Sequence, residues 1–332
     1  MKTKAVNNKA ELRRTKYKLL CMEEPSITVF NQAWWLDAVA PNNWDAIFVE
    51  NDGVIDAALP FVMRKTFVFN VIEHPTFTRD LGPWLRKKEL KYSKQLAWEK
   101  DLLQELYRAL PDYSFISNSW HPDLTNWLPL YWLGFKQTTR YTYVIDEISN
   151  LDEVYSNFEY SKKKNIKRSK GLVNIKFNIS PRDFYDNHVL TLSKEGRKIS
   201  YSFEIFERIY TSAYLNNSAF TIAAYDRNGN LHGALFIIKD KSSAYNLIST
   251  LDPDFRIEGT SSLLVLEAIK AASKYVKRFD FEGSMIESVE RSFRQFGGKQ
   301  IPYHTIWNSR SKMYNFALWL REVIANNGFK RN

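Results

Sequence analysis

The chain has 332 residues, of which 44% are hydrophobic and 15% aromatic, and its formal net charge is +10. This composition excludes an overall disordered chain, and the length favours two domains. No apolar run reaches the roughly 18–20 residues that a transmembrane helix needs. The one cysteine, Cys21, excludes an internal disulfide, and the basic N-terminus lacks the apolar segment of a secretory signal. We therefore expect a cytoplasmic protein.

Residues 1–25 are predicted to form a basic N-terminal extension. The stretch "FNQAWWLDAV" then predicts an aromatic-rich helix. Residues 45–65 predict a β-hairpin, because two apolar strand patterns flank an Asn-Asp-Gly turn. A long amphipathic helix, "LAWEKDLLQELYRAL", and a short strand, "YSFISNS", complete the first half.

The second half repeats this order. The helical stretch "FEIFERIYTSAYL" precedes a hairpin at 220–240, and the helix "SSLLVLEAIKAASKYV" precedes the strand "RFDFEGS". Such a duplication predicts a mixed α/β protein of two similar domains, each a mixed sheet flanked by helices. We place these domains at 26–145 and 146–332. A last helix at 311–325 is expected to pack back on the first domain.

Positive charge is concentrated in the second half. Residues 1–150 have 19 Lys/Arg and 18 Asp/Glu, whereas residues 151–332 have 28 and 19. Within the second half, 160–182 has eight basic residues and no acidic one. This density predicts an anionic partner, such as a nucleotide, a phosphorylated lipid or sugar, or RNA. A solvated lysine-rich helix face is the alternative.

The stretch "DFRIEGTSSLLVLEAIKAA" at 254–272 places small and hydroxyl residues directly before a helix. Free N–H groups and the positive end of the helix dipole make a helix start a phosphate-binding site. An ordinary capped helix is the alternative. The candidate residues for holding a diphosphate are Arg256, Gly259, Thr260, Ser261 and Ser262.

The strand "RFDFEG" alternates, so that Phe279 and Phe281 share one face and Asp280 and Glu282 the other. At a strand end these carboxylates are candidates to orient or deprotonate an amine; a rim carboxylate paired with a nearby lysine or arginine is the alternative. Tyr303 is a candidate proton donor, or a half-buried strand residue. Five scattered histidines and one cysteine lack the spacing of zinc ligands, so we expect no metal.

These motifs resemble those of known acyltransferases. The spacing Arg256-x-x-Gly259-x-Ser261 resembles the acyl-CoA pyrophosphate loop of the GNAT superfamily, although Ser261 replaces a small apolar residue. The segments "FDFEG" and "FRQFGG" resemble the C-terminal part of the GNAT-related FemAB and BioF2-like acyltransferases, with Arg294 where that family usually has lysine. "HPTFTRDLGPWL" in the first half and "KKKNIKRSKGLVNIKF" in the second also resemble family segments.

The resemblance implies two tandem GNAT-like domains that transfer an acyl or aminoacyl group to an amine. The first domain would face the acceptor, and the second would hold the donor, with backbone amides near 247–250 stabilising the oxyanion. The basic segment and the family motif give the candidates for meeting anionic groups, which are Lys163, Lys164, Lys167, Arg168 and Arg294. Tryptophans of the first half can form a sugar-stacking cleft, and among them Trp84 is the candidate acceptor contact; a core or domain-interface residue is the alternative.

Three functions remain open from the sequence. The first is transfer from acyl-CoA or an acyl-carrier thioester to an amino-sugar or cell-envelope precursor, which the lack of a long coiled-coil arm favours. The second is aminoacyl-tRNA-dependent extension of a peptidoglycan precursor, and the third is a non-catalytic binding module. The expected partners are a small-molecule or lipid-linked amine acceptor and, for the second function, tRNA. We expect no DNA and no transmembrane segment, and we allow contact with a membrane surface.

Overall fold

The structure is a computed structural model that describes residues 2–283 and 285–328, with backbone alone at 2–8, 257–258 and 321–328. It confirms the predicted mixed α/β class. The helices are α1 (Lys2–Glu23), α2 (Ala33–Val39), α3 (Tyr92–Arg108), α4 (Leu128–Tyr131), α5 (Leu151–Ser156), α6 (Tyr160–Ser169), α7 (Pro181–Lys194), α8 (Phe203–Leu215), α9 (Thr260–Ala272), α10 (Glu287–Arg294) and α11 (Lys312–Gly328).

The strands alternate with these helices along the chain. They are β1 (Trp44–Asn51), β2 (Val54–Thr66), β3 (Phe69–Ile72), β4 (Trp84–Leu85), β5 (Phe115–Ser119), β6 (Lys136–Ile145), β7 (Asn174–Phe177), β8 (Ala219–Tyr225), β9 (Leu231–Lys239), β10 (Ser243–Leu251), β11 (Arg278–Asp280) and β12 (Lys299–Ser309). Both predicted hairpins are confirmed as the pairs β1–β2 and β8–β9. The predicted helix before each hairpin is present as α2 and α8.

The chain divides into two compact units, and neither is continuous in sequence. Unit 1 comprises 2–24, 40–139 and 303–328, and unit 2 comprises 25–39 and 140–302. The boundaries therefore fall inside β6 and inside β12. The extension and the last helix both belong to unit 1. The predicted domains 26–145 and 146–332 are consecutive ranges, and as independently folding domains they stay a prediction.

In unit 1 the strands follow the order β1-β2-β3-β5-β12, with β4 beside β2. Strand β3 runs parallel to β5, and the other pairs in this unit are antiparallel. The amphipathic helix α3 buries Leu103, Leu106 and Tyr107 in the core of this sheet, as its helical spacing predicts. Trp120 is fully buried in the same cluster.

In unit 2 the strands follow the order β6-β11-β10-β9-β8-β7. The pair β10–β11 is parallel, and the pairs β6–β11, β9–β10, β8–β9 and β7–β8 are antiparallel. Helix α9 connects β10 to β11 and is buried along most of its length, including Leu264, Ala268 and Ile269. This β-α-β arrangement fixes the start of α9 at the far end of β10, where the candidate site lies.

No helix within the described residues is both long and apolar enough to cross a membrane.

A buried hydrogen-bond network in unit 1 gives the first prediction. The hydroxyl of Tyr107 accepts from Trp120 Nε1 at 2.9 Å and from Asn118 Nδ2 at 3.0 Å. Tyr107→Phe leaves both donors without this acceptor, so we expect a loss of roughly 1–3 kcal/mol in the free energy of unfolding. Urea denaturation measures it. The control is Tyr92→Phe, because Tyr92 is 79% exposed and its replacement should change stability little.

Candidate active site

The parallel pair β10–β11 separates soon after it begins. Only Ser243, Ala244 and Tyr245 of β10 pair with β11, which ends at Asp280. On its other edge β10 stays paired with β9 as far as Leu251. Among the described strands, none pairs with the β11-facing edge of β10 at 246–251. This edge therefore presents backbone N–H and C=O groups that can bind an extended amide chain.

A β-bulge lies at the start of this open edge. Asn246 pairs with Ile237 and Ile248 pairs with Phe236, so Leu247 has no opposite residue on β9. A bulged residue leaves the regular ladder and redirects its backbone groups. The bulge falls within 247–250, where the resemblance implied an oxyanion-stabilising amide.

The open edge leads to the start of α9. Asp252 caps a 3-10 turn, Pro253–Glu258, through a hydrogen bond from the Asp254 amide. Gly259 then takes a left-handed conformation, with φ of +74°, and α9 begins at Thr260. A Cβ at Gly259 would lie 2.6 Å from Cβ of Asn165 on α6. The close packing of α6 therefore requires a glycine here; a diphosphate approaching the same residue stays a prediction.

Two hydroxyl groups at the start of α9 are buried. Thr260 and Ser262 are 0% and 1% exposed, and neither side-chain oxygen has a hydrogen-bond partner within the described part of the chain. A buried hydroxyl without a partner costs roughly 1–3 kcal/mol. Both residues were predicted from the sequence to help hold a diphosphate. The structure places them at one helix start, together with the half-buried Ser261.

Arg256 lies beside this helix start but already has an acidic partner. Its guanidinium forms an ion pair with Glu195, which follows α7. The Arg256 side chain is 54% exposed, so it remains accessible from solvent. Its predicted contact with a diphosphate therefore requires the anion to join or replace Glu195.

The end of β11 is held by a buried carboxylate. Asp280 is 4% exposed and accepts hydrogen bonds from Thr142 Oγ1 at 2.5 Å and from the Glu282 amide at 2.8 Å. Glu282 has a φ of +65°, which is unfavourable for a residue with a side chain, and its Oε1 atom is shielded from solvent. Gly283 has no room for a Cβ against the Tyr141 carbonyl. Asp280 thus positions Glu282.

The motif phenylalanines form the core beneath this strand end. Phe281 stacks on Phe293 with ring centroids 5.1 Å apart and on Phe296 at 5.6 Å. Lys162 of α6 lies against the same cluster, with Nζ 4.4 Å from the Phe296 ring centre and 2.8 Å from Ser292 Oγ. Lys162 is 7% exposed, and this burial lowers its pKa to about 8. The negative charge of Glu159 raises the pKa but does not offset the burial.

The predicted anion-binding cations lie on α6 and α10. Lys164, Lys167 and Arg168 are exposed, and Lys163 donates to the Ser156 carbonyl at 2.7 Å. Arg294 donates to Glu290 at 3.1 Å, and Glu290 also accepts from the Tyr143 hydroxyl at 2.7 Å.. Lys164 and Lys167 form no ion pair with any described carboxylate, so both are available to an anionic partner.

Two predicted site residues belong to unit 1. Tyr303 is 8% exposed in β12. Trp84 is also 8% exposed, pairs with Ala58 across β4 and β2, and carries the Arg86 guanidinium 5.2 Å above its ring. Both are mainly buried, and their predicted roles as proton donor and acceptor contact stay predictions. The described residues contain no group of three or more His, Cys, Asp or Glu that could hold a metal ion.

Sequence reasoning missed Lys162 and Asn165. The missed lysine shares the buried face of α6 with Ile166 and Ser169. Counting back four residues from the apolar Ile166 would have placed Lys162 on that face. No signal in the neighbouring sequence identifies Asn165, because its role is a contact with Gly259, about ninety residues further along the chain.

The packing of α6 against Gly259 gives the second prediction. We expect Gly259→Ala to lower the free energy of unfolding by several kcal/mol, because a steric overlap with Asn165 adds to the strain of a positive φ. Gly229→Ala is the matched control: its φ is +86°, but nothing lies within 4 Å of the added Cβ. It should cost only about 1 kcal/mol. Equal losses for the two variants would show that the α6 contact contributes nothing.

The buried lysine gives the third prediction. Lys162 has a pKa of about 8 in the folded protein and an ordinary value of 10.5. Between these values the unfolded chain binds more protons, so this group makes the protein more stable as pH rises. Lys162→Met should therefore be the more stable protein at pH 7, and the difference should shrink by up to about 3 kcal/mol towards pH 10.5.

Chemical denaturation across this pH range measures the effect. Lys164→Met is the control, because Lys164 is exposed on the same helix. A pH-independent difference for Lys162→Met would mean that the folded lysine keeps its ordinary pKa.

A scan against protein-family models gives no match to this chain, and a search of curated proteins gives no significant match. Solved structures do resemble it. FemX is similar with a TM-score of 0.62 at 13% identity, over 88% of this chain and 95% of that chain.

Two further structures are similar across most of the chain. One is the C-terminal domain (DUF2156) of a protein described as a lysylphosphatidylglycerol synthetase from Agrobacterium fabrum, with a TM-score of 0.56 at 12% identity over 96% of both chains. The other is L-PGS from Bacillus licheniformis, with a TM-score of 0.51 at 10% identity over 84% of this chain and 89% of that one. At such identities the likeness shows the fold alone. The chain therefore has the fold of FemX, in agreement with the resemblance to FemAB-like proteins that its motifs carry.

Proposed function

We propose that the chain is an N-acyltransferase that moves an acyl group from acyl-CoA or an acyl-carrier thioester to an amine. The open edge of β10, which leads from the end of β11 to the start of α9, carries this proposal. A pantetheine arm is an extended chain with two amides, and it can add to such an edge as a further strand does. Its phosphate end then reaches the helix start.

The donor's phosphates would meet the α9 N-terminus. The backbone amides there, together with the positive end of the helix dipole, favour negative charge. The buried hydroxyls of Thr260 and Ser262 supply two further donors that no described residue uses. Their access to a ligand requires α6 to move at Asn165, because that residue packs against Gly259.

The reaction would take place near the bulge. The acceptor amine attacks the thioester carbonyl, the carbonyl oxygen becomes an oxyanion, and collapse of this intermediate expels the thiolate. A backbone N–H at Leu247 would stabilise the oxyanion. Glu282, held by Asp280 at the end of β11, would accept the proton that the amine loses. The expelled thiolate takes up a proton from a donor, for which Tyr303 is our proposal.

A second candidate donor is an aminoacyl-tRNA. The observation that favours it is the exposed face of α6, where Lys164, Lys167 and Arg168 project to solvent. Such a surface can follow a phosphate backbone, and binding would then weaken steeply with salt. In either case we propose a cytoplasmic enzyme whose acceptor is an amino-sugar or a cell-envelope precursor, free or lipid-linked.

The fourth prediction tests the donor site. Thr260→Val with Ser262→Ala removes two buried hydroxyls that have no described partner, so the free protein should gain roughly 1–2 kcal/mol of stability. The same variant should lose the rise in melting temperature that acetyl-CoA gives the wild type, because a ligand stabilises only the form that binds it. Thermal denaturation with and without acetyl-CoA measures both effects.

Thr191→Val is the matched control, because Thr191 of α7 is also a buried hydroxyl without a described partner. It should gain stability and keep the response to acetyl-CoA. Glu282→Gln should also keep that response while its turnover falls. A rise in melting temperature with aminoacyl-tRNA alone would select the second donor. No response to acetyl-CoA, to an acyl-carrier protein or to aminoacyl-tRNA would contradict an acyltransferase.

A further inference from the structure

Unit 1 exposes an apolar surface that the proposed reaction does not use. We call it the α11 surface; it consists of one outward face of α11 and the turn between β2 and β3. Six large apolar side chains are exposed there, and exposed apolar patches of this kind mark interaction sites. The members, with exposed fractions, are Met313 (69%), Phe316 (62%), Trp319 (55%), Leu320 (43%), Phe67 (90%) and Val68 (74%).

The helix and the turn are held side by side. The Tyr314 ring lies 5.2 Å from the ring of Phe69, which directly follows the turn, and 5.2 Å from that of Phe115 on β5. Leu318, one helical turn beyond Tyr314, is half-buried on the same side. Met313, Phe316, Trp319 and Leu320 are exposed on its other faces, so within 313–320 the helix carries apolar side chains both towards the sheet and towards solvent. An apolar outer face of this kind is typical of a surface that binds a protein or a membrane.

The charges around this surface identify the neighbour. Lys65 precedes the turn and Lys312 begins α11; both are exposed, and neither forms an ion pair with a described residue. The sequence from Lys312 to Leu320 has no acidic residue. Positive charge flanking Trp, Phe, Met and Leu side chains is the pattern of a helix that lies in a membrane interface. The chain's net charge of +10 has the same sign.

We propose that the α11 surface docks the protein on an anionic lipid surface. Phe316, Trp319 and Leu320 would enter the boundary between headgroups and acyl chains, while Lys65 and Lys312 would meet lipid phosphates. A second copy of the chain fits less well. A two-fold interface through this surface would bring the lysines of both copies together, with no acidic residue between Lys312 and Leu320 to balance them.

The fifth prediction uses the full chain and vesicle sedimentation. We expect binding to vesicles that contain phosphatidylglycerol and weaker binding to vesicles of phosphatidylcholine alone. Phe316→Ser with Trp319→Ser should weaken binding to the anionic vesicles about tenfold or more. Lys65→Glu with Lys312→Glu should remove the preference for anionic lipid, because each lysine near the surface contributes about a fivefold gain.

Two matched controls separate this surface from general effects. Leu215→Ser replaces a 78% exposed apolar residue of unit 2, and Lys87→Glu with Lys94→Glu makes the same change in net charge elsewhere in unit 1. Both should bind anionic vesicles as the wild type does. Equal losses in the controls would overturn the proposal. So would a wild type that ignores vesicles and forms a dimer, by light scattering, that Phe316→Ser with Trp319→Ser dissociates.

Discussion

The early end of the parallel pairing between β10 and β11 is the constraint on which the candidate site depends. Had β11 continued beside β10, backbone hydrogen bonds would have closed the edge of β10 at 246–251. The strand ends because Asp280 accepts the Glu282 amide and turns the chain into a left-handed conformation. Gly283 then passes close to the Tyr141 carbonyl, where no other residue would fit. Local backbone geometry therefore creates the opening.

The two ends of this opening have different physical characters. At the α9 start, Thr260 and Ser262 are polar groups without a described partner, in a region otherwise packed with apolar side chains. At the β11 end, Asp280 accepts hydrogen bonds from Thr142 and from the Glu282 amide, and the second bond holds Glu282 in position. The α9 start offers polar groups that can bind a ligand, and the β11 end holds the Glu282 carboxylate in a fixed position. This division agrees with a reaction in which binding and proton transfer occupy separate residues.

Much of the fold could be predicted from the sequence because its signals are local. The hairpins follow from alternating strands around Asn-Asp-Gly and Asn-Gly turns, and α9 follows from helical spacing. The candidate site was harder to predict, because it depends on contacts between residues that are far apart in the sequence. Spacing suggested Gly259 as a contact for a ligand, yet only the fold shows α6 packed on it at Asn165. The ion pair of Arg256 with Glu195 and the burial of Lys162 are likewise long-range results.

The discontinuity of the two units affects how the chain can fold as it is synthesised. Strand β5 pairs with Thr305–Ser309 of β12, and Thr305 is synthesised 186 residues after its partner Ser119. Until then one edge of β5 has no partner from β12, although most of unit 1 has already been made. In unit 2, the Phe30 ring packs against Tyr245. This contact, too, can form only after a long further stretch of chain has been synthesised. Cutting the gene in half would therefore give two incomplete sheets, each with an open edge prone to aggregation.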